Sequence, residues 1–205
     1  WGQAVAAING DYFNVIPPFL GDPMNLQILH GGELVSGPDE ERSFMYLDAK
    51  GEPHATNATS KFTITFPNGK TLPFGLNETP MTGQAVLYTR AAGASTRVDG
   101  VDLILERNGE EPWLPLHVGQ ILTARVKAIN RNGYSKITPD IMVLSLSPRT
   151  MNSLPTPTNN MVLKVCTATA PDLAGATLAI GGGPTLLRAG KVREFDGIQV
   201  RHPRS

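Results

Sequence analysis

The sequence predicts an α+β domain dominated by mostly antiparallel β-strands, with few and short helices. Three observations carry this. Short β-rich apolar runs recur between turn residues, as in residues 85–89, 101–106, 119–126 and 141–146. No segment keeps a helical apolar stripe over three turns. In residues 61–66 strict alternation puts Phe62, Ile64 and Phe66 on one strand face and Thr63 and Thr65 on the other.

Composition bounds what such a domain can do. The 205 residues are 40% hydrophobic and 18% charged, enough for one sizeable core and not the profile of a disordered chain. Lys plus Arg equals Asp plus Glu at 18 each, which argues against a nucleic-acid partner while leaving room for a local basic pocket holding one phosphate. No apolar run approaches the roughly 18 residues of a membrane-spanning helix. Cys166 is the one cysteine, so neither an intrachain disulfide nor a thiolate zinc site can form, and its place in the apolar run 161–166 predicts a buried structural thiol.

Taken in order, residues 4–16 form an apolar run that meets Asn9-Gly10-Asp11 and turns aromatic. A buried strand ending where polar groups emerge makes Asn9 and Asp11 candidate site residues; the local alternative is an Asx turn closed by Asp11. The prolines and glycine of residues 17–23 impose an irregular loop, and residues 26–36 read as two short strands around Gly31-Gly32, flanked by His30 and Glu33 as rim or site residues. Residues 44–48 form a strand turned by 49–51. Residues 61–66 pair with the segment holding Leu72 and Phe74 through Pro67-Asn68-Gly69-Lys70. Asn57 and Asn77 head glycosylation sequons, patterns too short to assign a function. Trp113 and His117, set among prolines, read as packing and loop residues rather than a sugar platform. Residues 147–160, polar and proline-rich, read as a surface loop within one domain over residues 1–205.

Near the C-terminus, Gly181-Gly182-Gly183 separates two apolar runs. Three residues without Cβ suit a turn with positive φ, serving either as a backbone wall that a ligand approaches or as a simple crossing of strands.

Several pieces stand in a recognisable order: residues 7–13 (Ala-Ile-Asn-Gly-Asp-Tyr-Phe), residues 86–89, Ile180-Gly181-Gly182-Gly183-Pro184 with Gly190-Lys191, and the terminal His202-Pro203-Arg204-Ser205. In this order the chain resembles the phosphodiester glycosidase family, whose members include bacterial envelope proteins and an enzyme removing N-acetylglucosamine from a phosphate diester on mannose. The resemblance implies a glycosidase that hydrolyses a sugar 1-phosphodiester at the anomeric carbon, in a secreted or cell-envelope setting. It places Asn9 and Asp11 in a first site motif, Gly181, Gly182 and Gly183 in a backbone wall, and His202, Arg204 and Ser205 in an arginine motif. Asp11, Arg204 and His202 are then the catalytic candidates and the others substrate-binding.

Residue chemistry agrees in outline. A phosphate monoester is a good leaving group, so one carboxylate that activates water or attacks the sugar, with cationic and N–H donors for the phosphate, suffices. Arg204 can offer a planar fork to two phosphate oxygens or make a surface salt bridge, and His202 can shuttle a proton or bond a neighbour. No dense carboxylate spacing calls for a metal or other cofactor, although Asp11 with backbone carbonyls can hold calcium. Family members continue past the arginine motif with an Asp-Gly-Arg or Asp-Gly-Gln element and an Asn-Leu-Asp-Gly-Gly-Gly-Ser element. Neither lies in these 205 residues, so a C-terminal fragment of the same precursor is an expected partner. The alternative is a noncatalytic glycan-binding or envelope scaffold protein with the same fold.

Overall fold

The computed structural model describes residues 11–17, 20–81, 83–97, 99–110, 112–183, 187–188 and 190–192. In chain order the strands are β1 (Gln27–Ile28), β2 (Leu34–Ser36), β3 (Phe44–Leu47), β4 (Pro53–Thr56), β5 (Thr59–Thr65), β6 (Thr71–Leu76), β7 (Ala85–Tyr88), β8 (Val101–Arg107), β9 (Ile121–Asn130), β10 (Met142–Leu146), β11 (Val162–Ala170) and β12 (Leu178–Gly181), followed by the short pair β13 (Leu187–Arg188) and β14 (Lys191–Val192). Helix is confined, among the described residues, to a 3-10 turn at Arg90–Ala92 and the single turn α1 (Pro148–Met151). The β-dominated fold class is the one the sequence predicts.

Seven strands close a barrel in the order β10-β7-β6-β5-β11-β9-β8, with every pairing antiparallel except β6 with β7. A separate antiparallel sheet runs β2-β1-β12-β3-β4, so a strand from the end of the chain lies between two from its beginning. One apolar cluster joins Leu26, Ile28, Leu34 and Phe44 of the sheet to Phe62, Ile64, Phe74, Leu87 and Leu163 of the barrel, which makes the described residues one domain. The alternation in β5 buries Phe62 and Ile64, as expected.

A polar stitch links the two layers. Asn77, at the end of β6, donates from Nδ2 to the Val35 carbonyl (2.8 Å) and to Thr89 Oγ1 (3.0 Å), and its Oδ1 accepts from the Thr89 N–H (2.7 Å). Its backbone sits at φ 53°, a left-handed position that asparagine tolerates better than most residues. The side chain is 3% exposed, so the sequon at Asn77 is a buried structural device in the folded chain.

Two readings need correction. Cys166 is half-buried, because β11 buries Leu163, Val165, Thr167 and Thr169 and so turns Cys166 to its outer face with Lys164. Residues 147–160 are not all loop. Ser147 caps α1 by accepting the Thr150 N–H (3.2 Å), and Pro148 occupies the first helical position, where its missing N–H costs nothing. Trp113 packs in the core and donates to the Asp140 carbonyl (2.9 Å), in keeping with a packing role.

Replacing Asn77 with Ala removes three hydrogen bonds and leaves alanine in a left-handed conformation. We expect a loss of about 2–4 kcal/mol in chemical denaturation, and expression in a glycosylating host should leave Asn77 unmodified by mass.

Candidate functional site

The site is assembled around a buried asparagine. Asn25, fully buried just before β1, accepts at Oδ1 from the N–H groups of Leu26 (2.7 Å) and Asp39 (3.0 Å), and donates from Nδ2 to the Ser43 carbonyl (3.0 Å). These bonds pin the 37–43 loop to the sheet. Within the loop Asp39 accepts the Glu41 N–H at Oδ1 (3.0 Å) and the Arg42 N–H at its carbonyl (3.1 Å), which turns the chain so that Arg42 and Ser43 enter β3.

The triple glycine arrives from the other side. Gly181 closes β12 opposite Phe44, Gly182 donates to the Ser43 carbonyl (2.9 Å), and Gly183 accepts the Ser43 N–H (3.1 Å). None of the three has the positive φ that a turn would require, so they lengthen the β12–β3 ladder instead. The Gly182 N–H is thereby committed within the protein. What matters at Gly181 is its missing side chain: a Cβ there would stand 2.3 Å from Asp11 Oδ2 and 2.8 Å from the Asn25 Cβ. The Asp11 carboxyl occupies space that any other residue at 181 would fill.

Asp11 is half-buried, and its two oxygens differ. Oδ1 accepts the N–H of Tyr12 (2.7 Å), the next residue, rather than the N–H two residues on that closes an Asx turn. Oδ2 is shielded from solvent and has no hydrogen-bond partner among the described residues. Burial holds the Asp11 pKa above the ordinary carboxylate value; the Tyr12 N–H, the Arg42 charge and the Asn25 N–H pull against this, and Asp39 adds to the rise.

The segment that follows Asp11 doubles back, with a bridge between Phe13 and Pro23 and hydrogen bonds from Asn14 N to Asp22 O (2.9 Å) and Met24 N to Tyr12 O (3.0 Å). An ion pair from Arg97 to both Asp22 oxygens (3.0 and 3.1 Å) fastens it to the barrel. It carries exposed Tyr12, Phe13, Val15, Ile16, Leu20 and Met24, an apolar surface on the segment that follows the carboxyl. Arg42 lies over the Tyr12 ring, 5.2 Å from its centroid, and its Nε is 3.1 Å from Asp39 Oδ2.

Of the residues singled out in the sequence, Asp11 and Gly181–Gly183 meet in this cluster. Asn9, His202, Arg204 and Ser205 lie outside the described residues. His30 is exposed and His117 packs against Gly32 in a loop, apart from this cluster. Among the described residues no group of three or more His, Cys, Asp or Glu side chains could hold a metal ion. Sequence reasoning missed Asn25, Asp39 and Arg42. A polar residue inside the apolar Met24-Asn25-Leu26-Gln27-Ile28, and the charged run Asp39-Glu40-Glu41-Arg42 just ahead of a strand, were the available signals.

No family model matches the chain, and no curated protein matches it. Solved structures do. The chain is similar to a hypothetical protein from Synechocystis at a TM-score of 0.65 and 18% identity, over 91% of this chain and 33% of that one. It is also similar to a candidate exported protein from Burkholderia pseudomallei at a TM-score of 0.60 and 20% identity, over 89% of this chain and 42% of that one. At this identity the likeness establishes the fold, a sheet beside a barrel, and the chain spans less than half the length of either neighbour. Among the described residues no helix is long and apolar enough to cross a membrane.

Two substitutions test the geometry. Gly181→Ala forces a methyl group against Asp11 and Asn25 and should cost about 1–3 kcal/mol, whereas Gly183→Ala, with nothing described within 4 Å of the added Cβ, should unfold like the parent. The sign for Asp11 follows from its raised pKa. The folded chain binds a proton there more tightly than the unfolded chain, so stability falls as pH rises from the ordinary carboxylate value through the folded pKa, and the deficit persists above it. Asp11→Asn should therefore be more stable than the parent at neutral pH, and this advantage should shrink as pH falls through that window in pH-resolved thermal unfolding.

Proposed function

We propose that the chain is the core of a glycosidase that hydrolyses a sugar 1-phosphodiester, in an exported or cell-envelope setting. The observation that carries the reading is the Asp11 carboxyl, seated on Gly181 with Oδ2 unpartnered among the described residues and an arginine beside it. Two motifs of the family resemblance, far apart in sequence, meet at that point. The description of one structural neighbour as a candidate exported protein agrees with the setting.

The chemistry needs little more than this cluster can offer. A water molecule attacks the anomeric carbon, Asp11 takes its proton, and the bond from that carbon to the phosphate oxygen breaks. The sugar leaves with a new hydroxyl and the phosphate departs as a monoester dianion. A carboxylate desolvated enough to have a raised pKa is a stronger base than a solvated one. Its aromatic neighbours Tyr12 and Phe13 offer apolar faces to a sugar ring.

Asp11→Asn should lower kcat/KM for a sugar 1-phosphodiester by about 10²–10⁴-fold. In the parent, the rate should fall as pH drops through the folded Asp11 pKa, which lies above the ordinary carboxylate value. The assay belongs on the longest natural form of the protein, since both structural neighbours extend far beyond the shared part. Hydrolysis that survives Asp11→Asn removes Asp11 from catalysis. Retention of sugar phosphodiesters without turnover would identify a binding or scaffold protein instead.

A further inference from the structure

Arg42 is held as a half-used fork. Its side chain is 26% exposed, its Nε faces Asp39 Oδ2 at 3.1 Å, and its plane is steadied over the Tyr12 ring at 5.2 Å. Both terminal amino groups lack a hydrogen-bond partner among the described residues. Asp39 is fixed in turn, since Oδ1 accepts the Glu41 N–H (3.0 Å) while its own N–H is tied to Asn25 (3.0 Å). A guanidinium anchored through Nε and over a ring leaves its two terminal amino groups for a ligand, and a pair of parallel N–H groups is the geometry that takes two oxygens of a phosphate. The Arg42 charge also acts on the Asp11 carboxyl, so the fork and that carboxyl belong to one cluster.

We infer that Arg42, steadied by Tyr12 and Asp39, is the clamp for the departing phosphate, making the ligand class of this subsite a phosphate monoester or diester. The inference rests on the glycosidase reading for the word departing, but the clamp itself is an anion site that exists whether or not the chain turns substrate over. Arg42 neutralises charge that grows on the phosphate as the anomeric bond breaks, an interaction stronger in the transition state than in the ground state. It also sets specificity. A glycoside with a neutral leaving group gives the fork nothing to hold.

The test is titration with methyl phosphate, followed by phosphorus NMR, of the parent and of Arg42→Gln, Arg42→Lys, Tyr12→Leu and Asp11→Asn, with thermal unfolding as the folding control. The parent should bind in a salt-sensitive way. Arg42→Gln should bind about 10- to 100-fold more weakly, and Arg42→Lys, which keeps the charge without the fork, should fall between. Tyr12→Leu should weaken binding with Arg42 still present, and Asp11→Asn, which removes a repelling charge, should bind at least as well as the parent. No binding by the parent, or equal binding by folded Arg42→Gln, overturns the clamp. Should Arg42→Gln fail to fold, the Arg42→Lys and Tyr12→Leu titrations decide by the same criterion, with parent-like binding in both overturning it. Hydrolysis that Arg42→Gln leaves intact would also overturn the clamp and keep the glycosidase. Arg42-dependent binding without hydrolysis would keep the clamp and remove the glycosidase.

Discussion

The site exists because β12 is inserted between β1 and β3, and because its last residue has no side chain. Antiparallel pairing on both edges fixes the height of Gly181 to within a residue, since a slip of one would turn Ala179 and Gly181 to the opposite face. At that height the Asp11 carboxyl and the Asn25 side chain converge on the Gly181 Cα, with the Cβ position already occupied. Closing a sheet with strands from the two ends of a chain carries an entropic cost, but one that grows only logarithmically with loop length. Here the intervening chain is itself a closed barrel packed into the same core, so the loop is held by structure rather than left slack.

Buried polar groups elsewhere in the molecule show what a satisfied interior looks like. Asn25 and Asn77 each meet three partners or more, and each joins segments that no strand pairing connects: the 37–43 loop to the sheet, and the sheet to the barrel. Asp102 is fully buried, with Oδ2 accepting from Thr96 Oγ1 (2.7 Å) and the Ser135 N–H (3.2 Å). Its Oδ1, like Asp11 Oδ2, lacks a partner among the described residues. The unpartnered atom alone therefore does not mark a site. The difference is the surroundings: Asp102, on β8, is a fully buried residue, while Asp11 is a half-buried one next to the exposed Tyr12 and acted on by an arginine whose terminal amino groups have no hydrogen-bond partner among the described residues.

Most strands were legible because their signals are local. Alternation in β5, the Asn68-Gly69 turn into β6 and the Gly31-Gly32 turn between β1 and β2 depend on a few adjacent residues. Barrel closure through β8 and β10, the parallel β6–β7 pair and the insertion of β12 depend on partners distant in sequence, and no local pattern encodes them. The same divide separates the site residues. Asp11 and the glycines stood out because an acidic residue after Asn-Gly and a triple glycine are locally unusual. Arg42 did not, because a charged run before a strand reads as a solvated loop until Tyr12 is placed beneath it. Of the two properties expected of the glycines, one is used. Their expected freedom at positive φ goes unused, and the absence of one Cβ does the work.

On the proposed reading, the electrostatics of the cluster suit chemistry with one working carboxyl. Glycosidases acting on alcohol leaving groups commonly pair two carboxyl groups, one to protonate the departing oxygen. Near Asp11 the second carboxyl is Asp39, and both of its oxygens are engaged, one by the Glu41 N–H and the other by Arg42. Asp39 thus holds the guanidinium, and among the described residues the cluster has one carboxyl outside an ion pair and one cation, which on the proposed reading are a base and a phosphate partner with no second carboxyl free to act as an acid. A phosphate leaving group needs no protonation to depart, only a partner for its second negative charge. On the proposed reading, such an arrangement suits a phosphodiester better than an ordinary glycoside, because stabilising the leaving group passes from proton transfer to a fixed positive charge.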